Sequence, residues 1–289
     1  MRSLIIIFLF LSMGLAGQVQ YVHHSGEAIL DVNLISVEQV KRHRIQRILA
    51  SFSYKYDKDV IHQTNREVIH VFDSSGLATE TCELNHFRKR LDSAIDHYYY
   101  MKNCYLTTHV HTDAQGSMVY TFEDMSDHFR FSAYLVPLKL EWNENLSRDF
   151  LLWSDSVINE GSDKYVSYNE FGKPYKYLVE RHNKFGQLTG IDLYQQGGRL
   201  ICAYDYDIDS GDIIQSIEAR PNNSMMFGWR KEFTYDTDNR LSEVRYFKEG
   251  KLESFRRISY SEDGLPEIDI TRNELTTKMD IVRYEYIHW

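Results

Sequence analysis

The segment His109-Val110-His111-Thr112-Asp113 holds the residue types best suited to chemistry. In an extended strand, positions i and i+2 point to one face. Two imidazoles on one face could hold a single zinc ion, with Asp113 as a further ligand, and His-x-His-x-Asp openings of this kind serve metal-dependent hydrolases. The local pattern points elsewhere. Asp113-Ala114-Gln115-Gly116 repeats the Asp73-Ser74-Ser75-Gly76 turn, so Asp113 falls where a hairpin places a turn acceptor, and no second ligand cluster follows downstream. A second acidic stretch, Asp205-Tyr206-Asp207-Ile208-Asp209-Ser210-Gly211-Asp212, has the alternating carboxylates of a calcium loop. Its glycine comes one residue late for an EF-hand, and Ser216 stands where the closing Glu belongs. Both segments read better as parts of hairpins. The expectation is a protein with no catalytic residue, no metal and no cofactor. A metal-dependent hydrolase built on His109, His111 and Asp113 is the alternative.

The remaining chemistry is sparse. No Gly-x-Ser-x-Gly, Gly-rich phosphate loop or His-Glu-x-x-His occurs. Of the three cysteines, Cys82 and Cys104 are nearest in sequence and form the first pair to test against Cys202. Three partly buried free thiols satisfy the pattern equally well. The aromatics Tyr98, Tyr99, Tyr100, Trp142, Trp153 and Trp229 could line a sugar-binding surface, although packing in a Tyr-rich sheet accounts for them more simply. A net charge of −9 argues against a surface that tracks nucleic-acid phosphates, which needs clustered Lys and Arg.

The elements that must position these residues are strands. Phe233 to Pro266 holds three copies of one pattern, an aromatic-rich run, a polar turn and an apolar restart: Tyr235 to Leu241, Tyr246 to Leu252 and Tyr260 to Leu265. Gly and Asn sit where the backbone needs positive φ, and the flanking Phe, Tyr, Val and Ile suit a pleated surface. The 21 Tyr, 15 Phe and only 4 Pro fit long ladders. Related turns occur at Asp73–Gly76, Asp113–Gly116, Asn169–Gly172, Asn183–Gly186, Gln196–Gly198 and Ser210–Gly211, and in the C-terminal half they step by about 11 to 14 residues, one hairpin arm per unit. In the run 241–247, Leu241, Glu243, Arg245 and Phe247 share one face and Val244 and Tyr246 take the other, which suits a sheet partly covered on both sides. The expected fold is therefore all-β: a long, twisted antiparallel meander of consecutive hairpins, open or partly curled, with few or no helices.

Residues 1–17 have a secretory leader's anatomy: Arg2, the apolar run Leu4 to Leu11, then Gly14-Leu15-Ala16 at the cleavage positions. No other run is long enough to span a bilayer as a helix. Expected regions are a hairpin region over 18–136, an irregular connector over 137–164 and a hairpin array over 165–289. Leu34 to Ala50 is ambiguous and leans to a turn followed by a strand over about Val40 to Tyr56. Phe87 to Ile95 reads as a helix capped by Asn85 or as a loop. Val282 to Trp289 alternates as a strand, expected to pair near Ile268 to Asn273 and to cap the array. A membrane barrel fits poorly, because Arg283 and Glu285 share a face with Ile287 and Trp289.

Phe233-Thr234-Tyr235-Asp236-Thr237-Asp238-Asn239-Arg240-Leu241 is similar to the YD repeat of RHS-type proteins, with Asn239 in place of Gly. Tyr204 to Asp207 and Val71 to Leu77 match it more loosely, and Tyr246 to Leu252 and Tyr194 to Leu200 resemble MORN-type units. The resemblance implies an exported bacterial β-repeat protein whose repeats carry no catalytic residues. Its function is then expected to be non-enzymatic binding of a protein or glycan in the periplasm, on the cell surface or outside the cell.

Overall fold

The computed structural model describes residues 35–87, 90–100, 106–113, 116–124, 128–137, 150–159, 164–169, 171–209, 213–222 and 227–289. The expected leader, the 18–33 arm, Cys104, Trp142, Gly211 and Asp212 lie outside them.

Among the described residues a single short helix, α1 (Val37–Arg42), precedes the strands. Then follow β1 (Ile45–Lys55), β2 (His62–Phe72), β3 (Ala78–Phe87), β4 (Arg90–Tyr100), β5 (Leu106–Thr112) and β6 (Gly116–Asp124). They continue with β7 (His128–Pro137), β8 (Phe150–Asn159), β9 (Lys164–Tyr168), β10 (Pro174–His182), β11 (Leu188–Gln195) and β12 (Leu200–Ile208). The last are β13 (Ile214–Pro221), β14 (Trp229–Tyr235), β15 (Leu241–Lys248), β16 (Lys251–Tyr260), β17 (Pro266–Asn273) and β18 (Met279–His288). All belong to one antiparallel sheet, so the expected all-β meander is what forms.

The turn residues explain the hairpins. At Asp236, the backbone N–H bonds the Arg240 carbonyl at 2.8 Å, while the Asp236 carboxylate accepts from the N–H groups of Asp238 and Arg240, each at 2.9 Å. Asn239 takes φ 60° within this loop. Asp73 makes the same contacts with Ser75 and Leu77, and Asn183 makes them with Phe185 and Gln187. Each of these turns leaves a one-residue register shift beside it, between Thr234 and Tyr235, Val71 and Phe72, and Arg181 and His182. That is the bulge such a loop imposes. Glu249-Gly250, with both φ angles positive, is instead a tight two-residue hairpin.

Each strand pairs with the next, and β18 pairs with β17 on one side and with β1 on the other. The β17 pairing, Ile268↔Arg283 to Arg272↔Met279, lies where expected. The second pairing, Ile45↔His288 to Lys55↔Met279, makes β18 an interior strand rather than a cap. The curl of the sheet thus carries its ladders through all eighteen strands and back to β1.

Three local expectations change. Val40 belongs to α1, and β1 starts only at Ile45. Ser36 and Gln39 form a reciprocal capping box that nucleates the helix. In the stretch read as a helix or a loop, Phe87 ends β3 and Arg90 to Ile95 begin β4, and β8 lies inside the stretch expected to be an irregular connector.

One cluster of buried side chains gathers around α1, and further buried residues such as Leu178 and Ile191 lie in β10 and β11. Ile35 and Val40 pack with Ile45, Ile48, Ala50, Val68, Phe72, Ala78, Leu265 and Tyr284. The α1 backbone sits so close to the β2–β3 turn that a Cβ on Gly76 would lie 2.6 Å from the Val37 carbonyl oxygen.

Candidate functional site

Register places a row of polar side chains on the face that carries the core. His70 of β2 is opposite Thr81 of β3, Thr81 is opposite Asp96 of β4, and Asp96 is opposite His111 of β5. His109 and His111 share this face, as their i, i+2 spacing requires. Both turn to Asp96: His109 Nε2 donates to Asp96 Oδ1 at 2.7 Å and His111 Nδ1 donates to the same oxygen at 2.8 Å. An ionised carboxylate only accepts, so each imidazole must carry a proton on the nitrogen that faces it. His109 also stacks on Tyr98, with centroids 4.8 Å apart and planes at 11°. His70 Nδ1 shares a hydrogen bond with Thr81 Oγ1 at 2.9 Å.

Burial pushes the Asp96 carboxyl up, but the bonds from His109 and His111 outweigh it and hold it at about 2. The hydrogen bond to Asp96 raises His111 against the opposing effect of burial. His70, 1% exposed, is pushed down to about 4 by burial. The cluster therefore joins β4 to β5 through a charge-assisted carboxylate. Asp113 Oδ2 stands 3.9 Å from His111 Nε2, on the ring edge away from Asp96. The two imidazoles that could have joined Asp113 around zinc aim at Asp96 instead. Among the described residues, no group of three His, Cys, Asp or Glu side chains is arranged to hold a metal ion.

The acids of the β12–β13 stretch are separated. Asp205 pairs with Arg181 at 2.7 Å and also with Arg220. Asp207 is exposed opposite Ser216. Asp209 accepts from the Ile213 N–H and Gln215 Nε2, each at 3.0 Å, as a turn residue does. Cys82 and Cys202 are free thiols, and burial raises the pKa of both.

The aromatic candidates scatter. Tyr98 is buried against His109, and Tyr99 is 54% exposed on the opposite face. Trp153 lies in β8 opposite Ala133. Trp229 begins β14 and meets Tyr204 and Tyr246, at centroid distances of 6.3 and 6.2 Å. Neither Tyr204 nor Tyr246 could be singled out by local pattern, because their neighbours to Trp229 come from other strands.

No family model matches the chain, and no curated protein matches it. Several solved structures are similar at low identity. A porin-like protein from Bacteroides uniformis is 11% identical, with 84% of this chain and 98% of that chain covered and a TM-score of 0.39. TcdB2-TccC3 without its hypervariable C-terminal region is 10% identical over 76% of this chain but 12% of that chain, with a TM-score of 0.32. A putative outer membrane lipoprotein-sorting protein domain from Vibrio parahaemolyticus is 7% identical, covering 86% and 90% of the two chains, with a TM-score of 0.25. Likenesses at this level carry no argument about function.

Proposed function

We propose that the protein is an exported, non-enzymatic β-repeat scaffold of the bacterial envelope or cell surface that binds a protein or a glycan. The observation that carries this reading is the half-buried state of β14 and β15. Neither β14 nor β15 has a fully buried residue, although aromatic and charged side chains line them. A face of that composition, held by hydrogen-bonded strands on both sides, is a surface for binding. The Asp/Asn-x-x-Asn/Gly turns recurring at Asp73, Asn183 and Asp236 support the YD-type repeat, and the Glu249-Gly250 turn supports the MORN-type unit. On the exposed face, Glu243 sits between Arg245 at 2.7 Å and Arg257 at 3.0 Å, charges that a lipid-facing stripe does not carry at mid-strand.

Arrays of glycans and envelope proteins test the reading. Saturable binding that leaves the ligand chemically unchanged supports it. Zinc-dependent turnover of ester, amide or phosphodiester substrates, lost in His109→Ala, would replace it with the hydrolase. N-terminal sequencing of exported material should begin at Gly17 or Gln18, and material beginning at Met1 would remove the export component.

A further inference from the structure

Trp229 of β14 stands opposite Lys248 of β15, and Lys231 stands opposite Tyr246. Two aromatic rings and two ammonium groups therefore alternate on one face like the squares of a checkerboard. The Trp229 and Tyr246 rings are 6.2 Å apart and tilted by 39°. Ala219, 1% exposed, lies opposite both Trp229 and Tyr204, and its small side chain lets the Tyr204 ring approach Trp229 to 6.3 Å at 59°. The Lys231 ammonium is 5.7 Å from the Trp229 ring centre. The Lys248 ammonium is 5.0 Å from the ring of Phe227, which is 53% exposed in the segment leading into β14. Lys248 Nζ also stands 4.0 Å from Glu253 Oε1.

Each part of this arrangement selects something. Aromatic faces take the apolar CH face of a sugar ring, and tilted rings from three strands offer more than one such contact. Two ammonium groups on that floor, in a chain of net charge −9, favour a ligand that brings a carboxylate. A peptide binding as an added strand needs a sheet edge, and β14 and β15 are hydrogen-bonded on both sides. We propose that Tyr204, Trp229, Lys231, Tyr246 and Lys248 form a binding subsite for a carboxylate-bearing saccharide. This rests on the binding-scaffold reading and gives it a ligand class.

Isothermal titration of the full chain with tetrasaccharides containing galacturonate, glucuronate or sialic acid tests the subsite. At least one should bind saturably, and maltotetraose, which has no carboxylate, at least tenfold more weakly. Trp229→Ala should reduce the affinity tenfold or more. The paired change Lys231→Gln with Lys248→Gln, which keeps the aromatic floor and serves if the Trp229 variant does not fold, should do the same. Failure of every acidic tetrasaccharide to bind, equal binding of tetraglutamate, or unchanged affinity in the variants would overturn the subsite. Saturable binding of some other array ligand would in that case leave the scaffold reading standing, whereas zinc-dependent turnover would remove the scaffold reading itself.

Discussion

The sector around α1 and the sector around β14–β15 are built from the same hairpins but hold themselves together differently. Around α1, side chains from the helix, β1, β2, β3, β18 and the β16–β17 turn meet in one cluster, with Ile35, Ile45, Ile48 and Val68 at 2% exposure or less. Around β14–β15, side chains are only half-buried, and the strands hold by backbone ladders, ring contacts and ion pairs. Hydrophobic stabilisation scales with apolar area removed from water. The first sector therefore supplies stability, and the second keeps side chains available for contact.

Removal of β18 should have the largest effect. Truncation after Thr277 takes away the ladders to both β17 and β1 and bares two strand edges, which recruit other chains. Size exclusion and far-UV circular dichroism should show a self-associating, less heat-stable protein that keeps much of its β signal. A monomeric truncation as stable as the parent would mean that the α1 sector is not the anchor.

Matched glycine substitutions sharpen the contrast. Gly76 and Gly186 take nearly equal φ angles, 87° and 81°. Adding a Cβ costs each about 1–2 kcal/mol from the left-handed conformation. At Gly76 the new atom also meets the Val37 carbonyl at 2.6 Å, while at Gly186 it meets nothing within 4 Å. Denaturant unfolding should place Gly76→Ala well below Gly186→Ala, and equal losses would show that α1 gives way freely.

A third effect depends on pH. The folded pKa of His70, about 4, lies below its ordinary 6.5. As pH falls from 6.5 toward 4 the unfolded chain takes up this proton and the folded one does not, so stability falls by up to about 3 kcal/mol. His111, raised, contributes fully below its ordinary value and loses its contribution as pH rises through its folded value. Asp96, lowered to about 2, loses its contribution only as pH falls below its ordinary 3.8. The slope between about 6.5 and 5 thus belongs mainly to His70, with Glu243, also lowered, adding to it only toward its ordinary 4.5, and melting profiles of His70→Gln should flatten above that.

The smallest effect is expected on the exposed face. Glu243→Gln should cost about 1 kcal/mol or less, shrinking as salt screens Arg245 and Arg257. A larger, salt-independent loss would show that the β14–β15 sector depends on its ion pairs as much as the other sector depends on its core.

Legibility followed distance along the chain. The turns at Asp73, Asn183 and Asp236 could be read because their chemistry is complete within five residues. The spacing of Phe87, Leu91 and Ile95 fits a helical face, but Phe87 ends β3 while Leu91 and Ile95 lie in β4, where a spacing of four also keeps two residues on one side of a strand. Asp96 escaped notice because its importance comes from β5, across a hairpin. The α1 helix left one local mark, Ser36 and Gln39 at capping-box spacing, but it is too short to show a period. Nothing local marks the β18–β1 pairing.

That pairing sets the order of folding. The contact between His288 and the His43 carbonyl joins residues 245 positions apart, whereas turns such as Asp73–Leu77, Asn183–Gln187 and Asp236–Arg240 close over a few residues. Loop-closure entropy makes such distant contacts slow, so hairpins form first and accumulate before the seam. Until β18 reaches β1, the growing sheet has two live edges and an unburied patch made of Ile45, Ile48 and Tyr284. Aggregation during refolding therefore competes with one late encounter, and its extent should rise with protein concentration while the rate of seam formation does not.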